Sequence, residues 1–99
     1  MFDLRFEWDA AKAASNGRKH RVTFQQAATV LLDPLAVSIR DEAHSDGEVR
    51  WVTVGQTEDG ALVVVVHTYH DIGTHAADVR IISARPATRS ERRNYETGQ

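Results

Sequence analysis

Five short stretches of the chain have the hydrophobic pattern of β-strands. Around residues 2–8 and 35–39, apolar residues recur at every second position, which is the period of a strand with one buried face. Residues 62–66 are apolar throughout, as expected for a central strand that is covered on both faces. The predicted strands are 2–8, 35–39, 51–57, 62–66 and 79–84, and residues 69–78 are predicted to form a polar loop.

Three segments carry the signals of helix starts. Asp9 suits a helix N-cap, and the helix after it is expected to weaken at Asn16, next to a glycine, unless packing carries it on to His20. Residues 23–26 and 88–91 are capping boxes, in which a threonine and a Gln or Glu three positions later satisfy backbone donors reciprocally. The order of strand, two helices, strand meander and helix predicts an α+β fold with a mainly antiparallel sheet of four or five strands.

Length and composition narrow the class of protein. Ninety-nine residues are expected to form one domain, 1–99, around a single modest core. The absence of cysteine excludes disulfides and thiolate metal sites. The N-terminus lacks the pattern of a signal peptide, and the longest apolar run, 61–66, is far too short to span a bilayer. We therefore expect a cytoplasmic protein that does not enter a membrane.

The positive charge of the chain is concentrated near its C-terminal end. The formal net charge is -2, yet residues 80–93 contain five arginines and a single acid, Glu91. A chain that is acidic overall and gathers its arginines in one segment is expected to bind an anion there. The alternative is a solvated terminal helix, because residues 88–96 have almost no apolar face. The arginines are Arg80, Arg85, Arg89, Arg92 and Arg93.

Arg80 and Arg85 are the leading candidates for contact with a phosphate. A guanidinium group stays charged and offers fixed donors, which suits the stabilisation of a pentacovalent phosphorane. The two residues are five apart on a predicted strand, so the period of two places them on opposite faces unless the strand bends near Ala84. Arg85, at the end of the strand, is the preferred residue of the two.

Several side chains are candidates for moving protons. Cleavage of RNA at neutral pH without a metal needs a base at the 2′-hydroxyl and an acid at the leaving 5′-oxygen. His67 is suited to either role, although a lone histidine at a strand end is more often a packed residue hydrogen-bonded to a neighbour. Glu48 has its own alternative, an exposed ion pair with Arg50. The candidate proton carriers are His67, Glu48, Lys19, His20 and Tyr95.

A metal site is not expected in this chain. Histidine and aspartate residues are crowded between positions 67 and 78, but their spacing matches no established set of ligands. The residues concerned are His67, His70, Asp71, His75 and Asp78. No other cofactor is expected.

A series of motifs runs in order along nearly the whole chain. It comprises Phe6-Glu7-Trp8-Asp9, Lys12-Ala13, Asn16, Lys19-His20, Val22 to Phe24, Asp33-Pro34, Gly47-Glu48, Arg50-Trp51, Gly55, Arg80-Ile81-Ile82-Ser83-Ala84-Arg85, Glu91-Arg92 and Tyr95. Taken together, these motifs resemble those of the BrnT toxins of bacterial type II toxin–antitoxin systems. The resemblance is far more specific than any single motif in it.

This resemblance implies a fold and an activity. The fold would be RelE-like, with two N-terminal helices packed on an antiparallel sheet and a C-terminal helix. The activity would be that of a metal-independent endoribonuclease that cuts RNA and inhibits translation. The residues and the resemblance together assign catalysis to His67, Arg85, Arg80, Tyr95 and Glu48, and RNA binding to Lys19, His20, Arg50, Arg89 and Arg92.

The resemblance also implies partners. The toxin would be neutralised by a cognate ribbon-helix-helix antitoxin similar to BrnA, and their complex would repress its own promoter. The toxin would therefore reach DNA only through the antitoxin. A homodimer within the complex is left open, with Trp8 or Trp51 at its interface, although core packing is the preferred role of both tryptophans.

Two features of the chain depart from the family pattern. The loop at 69–78 looks longer than usual, which suggests a gate or a narrower choice of substrate. Pro86 stands where a basic residue is more often expected, which lowers the expected affinity for phosphate. An alternative function therefore stays open: a non-enzymatic or degenerate toxin-like binding module that acts only in a DNA-bound repressor complex with its antitoxin.

Overall fold

A mixed sheet with helices on both faces makes up the part of the chain that the computed structural model describes, residues 2–44 and 47–98. The predicted α+β class, with two N-terminal helices and a C-terminal helix, is confirmed. None of the helices in these residues is both long and apolar enough to cross a membrane. In chain order the elements are β1 (Asp3–Glu7), α1 (Ala10–His20), α2 (Phe24–Val30), β2 (Val37–Arg40), a 3-10 turn (Glu42–His44), β3 (Arg50–Gln56), β4 (Leu62–Thr68), β5 (His70–Asp71), β6 (Ala76–Pro86) and α3 (Arg89–Thr97).

The sheet is antiparallel except at one edge. Its strand order is β1-β6-β4-β3-β2, and the short strand β5 also pairs with β6. β1 runs parallel to β6, whereas the other neighbours are antiparallel. The apolar run at 62–66 forms most of β4, which lies in the middle of the sheet as its pattern predicted.

The predicted polar loop at 69–78 is mostly a β-hairpin. The register that joins His67 to Ile81 is kept in the pairs His70–Asp78 and Asp71–Ala77. The hairpin closes where the Ile72 N–H donates to the Ala76 carbonyl at 2.9 Å. The prediction of a loop was wrong. It was based on the polar composition of the segment, whereas the strand is formed by backbone pairing with β6, which local sequence does not show. The hairpin fixes the face to which each of its side chains points.

The core lies between α2 and one face of the sheet. Phe24 of α2 is fully buried against strand residues that include Val65 and Ile81. Trp8 packs against the same cluster, with its ring edge-on to Phe24 at a centroid distance of 6.0 Å. β3 approaches α2 so closely that a Cβ on Gly55 would lie 2.9 Å from a Val30 methyl carbon. Core packing is thus the observed role of Trp8.

The helix α1 does not weaken at Asn16 but continues to His20. Asn16 is buried, and its Nδ2 donates to the carbonyl oxygens of Val22 and Ala84 at 3.1 and 2.8 Å. Its Oδ1 accepts from the Ala84 N–H at 3.1 Å. The β1 register on β6 ends at Arg80, so the Asn16 amide takes the place of a strand at Ala84. These tertiary hydrogen bonds outweigh the local preference for a helix end, and they hold α1 along the edge of β6.

The helix α3 lies on the sheet face opposite to α1 and α2. Its capping box is formed as predicted, with reciprocal bonds between Thr88 and Glu91. A narrow groove separates the helix from Val52 and Val54 of β3. The helix buries none of its residues fully, so polar contacts rather than a core attach it to the sheet.

Candidate active site

A β-bulge in β6 brings Arg80 and Arg85 to the same face of the sheet. Arg85 and Ser83 pair with Val64 and Val66 of β4, but the next pair along is Ile81 with His67. The extra residue, Ile82, shifts the alternation of side chains by one position. The prediction of opposite faces is therefore wrong for these two arginines, and the bend near Ala84 that it named as an exception is present. We call the face that carries them the arginine face.

A carboxylate, a guanidinium group and an imidazole meet at one end of the arginine face. Arg80 Nη2 donates to Glu48 Oε1, and the Nε2 atom of His70 lies 3.8 Å from Glu48 Oε2. The hydrogen bond from Arg80 lowers the pKa of Glu48, and the charges of Arg80, His70 and Arg50 lower it further. Glu48 is therefore ionised at neutral pH, and it contacts Arg80 and His70 while also lying within the influence of the Arg50 charge.

His70 also belongs to this site, although its sequence context indicated only a possible metal ligand. It pairs with Asp78, two residues before Arg80, so it projects from the arginine face. Its side chain is 58% exposed. The sequence could have indicated this position if the two-residue period of β4 had been extended past Thr68 to His70. The prediction of a loop at 69–78 excluded that extension. Among the described residues, no group of three histidine or acidic side chains is arranged to hold a metal ion.

A cleft of about 230 Å³ separates α1 from the bulge of β6. Lys19 and His20, both predicted to bind RNA, line it from α1, and Ser83 lines it from β6. Ser83 shares the arginine face with Arg85, so the cleft adjoins that face between the two arginines. Lys12 also lines the cleft, although its sequence context did not indicate a site residue.

Arg85 forms an ion pair with Glu91, the acidic residue of the capping box of α3. Its Nη1 and Nη2 atoms donate to the two carboxylate oxygens of Glu91 at 2.7 and 2.8 Å. Glu91 also accepts from the Thr88 N–H. The bidentate bond from Arg85 is the largest of the effects that lower the pKa of Glu91 to about 2, and the same bond raises the pKa of Arg85. The predicted phosphate ligand thus serves here as an anchor for α3.

Tyr95 forms the second anchor of α3. Its hydroxyl donates to Asp33 Oδ2 at 2.8 Å, and this hydrogen bond raises the pKa of Tyr95. Asp33 also accepts from the backbone N–H groups of Gln56 and Leu35. The tyrosine is therefore tied to the loop after α2 and is not brought to Arg80.

The other predicted RNA-binding arginines occupy two places. Arg50 pairs with Thr68 across β3 and β4, on the arginine face beside Glu48. Arg89 and Arg92 are exposed on α3. The positive charge therefore extends from the sheet onto the C-terminal helix.

His67 lies on the opposite face of the sheet, towards α1 and α2. The side chain is 4% exposed, and burial lowers the pKa of its imidazole. Nδ1 lies 2.9 Å from the Thr68 carbonyl oxygen and Nε2 lies 2.7 Å from Thr53 Oγ1. A carbonyl can only accept, so Nδ1 carries the proton, and Nε2 of the neutral ring accepts from the threonine. His67 thus has the arrangement of a packed histidine hydrogen-bonded to its neighbours, which was the alternative to a catalytic role.

Comparisons with known proteins agree with this architecture. The crystal structure of the Brucella abortus ribonuclease toxin BrnT has the same fold, with a TM-score of 0.60 and 21% sequence identity over 88% of this chain and 99% of that one. No curated protein matched the chain. Residues 8–91 match the family model described as the ribonuclease toxin, BrnT, of type II toxin–antitoxin systems. Since this match covers most of the sequence, the chain belongs to the BrnT family of ribonuclease toxins.

Proposed function

We propose that this chain is a metal-independent endoribonuclease that cuts RNA at the arginine face and thereby inhibits translation. The observation that carries the proposal is the contact between Glu48, an ionised carboxylate, and Arg80 on an open face of the sheet. A carboxylate next to a guanidinium group supplies two of the three groups that metal-free cleavage requires, a base and a cation at the phosphate.

The proposed reaction begins with Glu48. Its carboxylate accepts the proton of a 2′-hydroxyl, and the 2′-oxygen forms a bond to the adjacent phosphorus. Arg80 donates to the equatorial oxygens of the phosphorane, where the negative charge is greatest. The bond to the 5′-oxygen then breaks, and once that oxygen has taken up a proton the products are a 2′,3′-cyclic phosphate and a 5′-hydroxyl.

RNA binding is assigned to the basic side chains around this centre. Lys12, Lys19 and His20 line the cleft beside the β6 bulge, and Arg50 lies beside Glu48. Arg89 and Arg92 extend the positive surface along α3. A phosphate backbone that leaves Arg80 therefore has further basic side chains to follow, as the electrostatic part of RNA binding requires.

The partner proposed for this toxin is a ribbon-helix-helix antitoxin similar to BrnA. The family description supports an antitoxin of some kind, because it names a type II toxin–antitoxin system. The toxin would act as a single domain in the cytoplasm, where its RNA substrate lies. Co-expression with a ribbon-helix-helix protein encoded beside it should restore growth, and an unrelated ribbon-helix-helix protein is the control.

A second candidate function is a toxin-like module that binds its antitoxin but does not cut RNA. Two of the predicted catalytic residues, Arg85 and Tyr95, are occupied in holding α3, which favours a structural role for them. Induced expression separates the two functions. A nuclease should stop growth and shorten total RNA, whereas a binding module should leave both unchanged.

The direct test is cleavage of purified RNA in excess EDTA. We expect the wild type to remain active, and Glu48→Gln and Arg80→Ala each to lose roughly 100-fold or more in rate. Glu42→Gln and Arg40→Ala are matched controls, since these residues form an exposed ion pair with each other beyond β2. Loss of all activity in EDTA would overturn the metal-free mechanism, and full activity of Glu48→Gln would remove that residue from it.

A further inference from the structure

The proposed reaction leaves the departing 5′-oxygen without a proton donor. We propose that His70 is the general acid that protonates it. This inference rests on the proposed function and adds to it a catalytic residue on the β4–β6 hairpin. Three observations point to His70: the face of the sheet on which it lies, its contact with Glu48, and the positions of the other histidines.

The first observation is the position of His70 in the hairpin. β5 pairs with β6 so that His70 faces Asp78, and Arg80 follows on the same side of the same strand. The positions of Asp78 and Arg80 are about 7 Å apart along the strand, so the side chains of His70 and Arg80 can reach the same bound group. The imidazole is 58% exposed, so a bound nucleotide has access to it. His70 therefore lies on the same face of the sheet as the proposed phosphate position.

The second observation is the way in which Glu48 joins the groups. Arg80 contacts Oε1 of Glu48, while His70 approaches Oε2 at 3.8 Å. One carboxylate thus lies between the cation for the phosphate and the imidazole. The imidazole therefore stands next to the same carboxylate that holds the phosphate-binding cation.

The third observation is the location of the other histidines whose side chains the structure describes. His67 is buried on the opposite face, with both ring nitrogens hydrogen-bonded. His20 lies in the cleft beyond the β6 bulge, where RNA binding is its proposed role. His75 is in the turn of the hairpin, where its carbonyl accepts from the Asp3 N–H. Among these four, His70 is the one that contacts the Glu48–Arg80 pair.

The protons balance over the whole reaction. The 2′-proton moves to Glu48 as the bond from the 2′-oxygen to phosphorus forms. The proton on His70 moves to the 5′-oxygen as its bond to phosphorus breaks. Glu48 is left protonated and His70 neutral, and one proton transfer from the carboxyl group to the imidazole, directly or through water, restores both groups.

The test uses an RNA oligonucleotide that contains the bond that the wild-type chain cuts first. It is made with either oxygen or sulfur as the 5′ leaving atom. A thiolate leaves without a proton, so a variant that lacks only the acid should recover on the sulfur substrate. We expect His70→Gln to lose roughly 100-fold or more in rate on the oxygen substrate and to match the wild type within about 10-fold on the sulfur substrate. His75→Gln, a change in the turn of the same hairpin, should behave as the wild type on both.

Each other outcome overturns the inference in a distinct way. A wild-type rate for His70→Gln on oxygen would exclude His70 from the chemistry. An equal loss on oxygen and sulfur, with an unchanged thermal midpoint, would assign His70 to binding instead. A wild-type chain that cuts neither substrate would overturn the proposed function itself, together with the role of His70.

Discussion

Arg80 and Arg85 project from the same face of β6 although they are five positions apart along the chain. A regular strand would place them on opposite faces, but the bulge at Ile82 and Ser83 shifts the alternation by one residue and brings both to one face. Their partners nevertheless differ. Arg80 contacts Glu48 at the open end of the sheet, while Arg85 contacts Glu91 of α3. One strand thus presents one arginine to a candidate reaction centre and uses the other to attach a helix.

The first prediction separates these two roles. Arg85→Ala should lower the free energy of unfolding, because α3 loses its bidentate contact with the sheet. Both side chains are partly exposed, so the coupling energy between Arg85 and Glu91 should be about 0.5–1 kcal/mol. A double-mutant cycle with Glu91→Gln in urea measures it. Arg80→Ala should reduce RNA cleavage more than Arg85→Ala does, and the reverse order would return the phosphate-binding role to Arg85.

The second prediction concerns Asn16, whose amide takes the place of a strand at the edge of β6. Asn16→Ala should destabilise the protein by about 2–4 kcal/mol, because it leaves the buried N–H and carbonyl groups of Ala84 without their partner. Denaturation in urea measures the change, and Arg18→Ala on the exposed side of α1 is the control. A loss below about 1 kcal/mol would mean that water or a shifted helix satisfies these groups.

Local pattern predicted the elements of this fold well. The alternation at 2–8 and 35–39 gave β1 and β2, and both capping boxes are formed where their sequences indicated. Such signals act within a few residues, so they are fully present in the sequence. The central place of β4 also followed from composition, since a strand covered on both faces needs apolar residues at every position.

The features that pattern could not predict all depend on distant partners. The continuation of α1 past Asn16 depends on Ala84, and the hairpin at 69–78 depends on pairing with β6. The common face of Arg80 and Arg85 depends on one bulged residue, for which the local sequence carries no marker. The candidate site was the hardest feature to predict, because His70, Glu48 and Arg80 come together only after β3, β4, β5 and β6 have paired.

The third prediction is a pH dependence of stability that arises from His67. Burial lowers the pKa of this histidine in the folded chain below the ordinary value of 6.5. The unfolded chain therefore binds the proton more readily than the folded chain. The contribution of His67 to stability is complete above about pH 6.5 and is lost as the pH falls from there towards the folded pKa.

This dependence is measured by urea denaturation of the wild type and of His67→Gln between pH 8 and pH 5. Glutamine cannot titrate, so the variant should be less stable at pH 8 but should lose less stability on acidification. Other groups that titrate in this range cancel in the difference between the two chains. Parallel curves for the two chains would show that His67 is not the group responsible.

The last prediction concerns the cleft between α1 and the β6 bulge. Lys12 and Lys19 line this cleft, and each would neutralise a phosphate of bound RNA. Neutralised phosphates release counterions, so each contact adds about 0.7 to the slope of log affinity against log salt for a single strand. Lys19→Ala should therefore weaken binding of an RNA with 2′-O-methyl groups, which cannot be cut, and should lower that slope by about 0.7. Arg40→Ala, at the far edge of the sheet, should leave the slope unchanged. An equal slope for Lys19→Ala and the wild type would place the RNA elsewhere on the molecule.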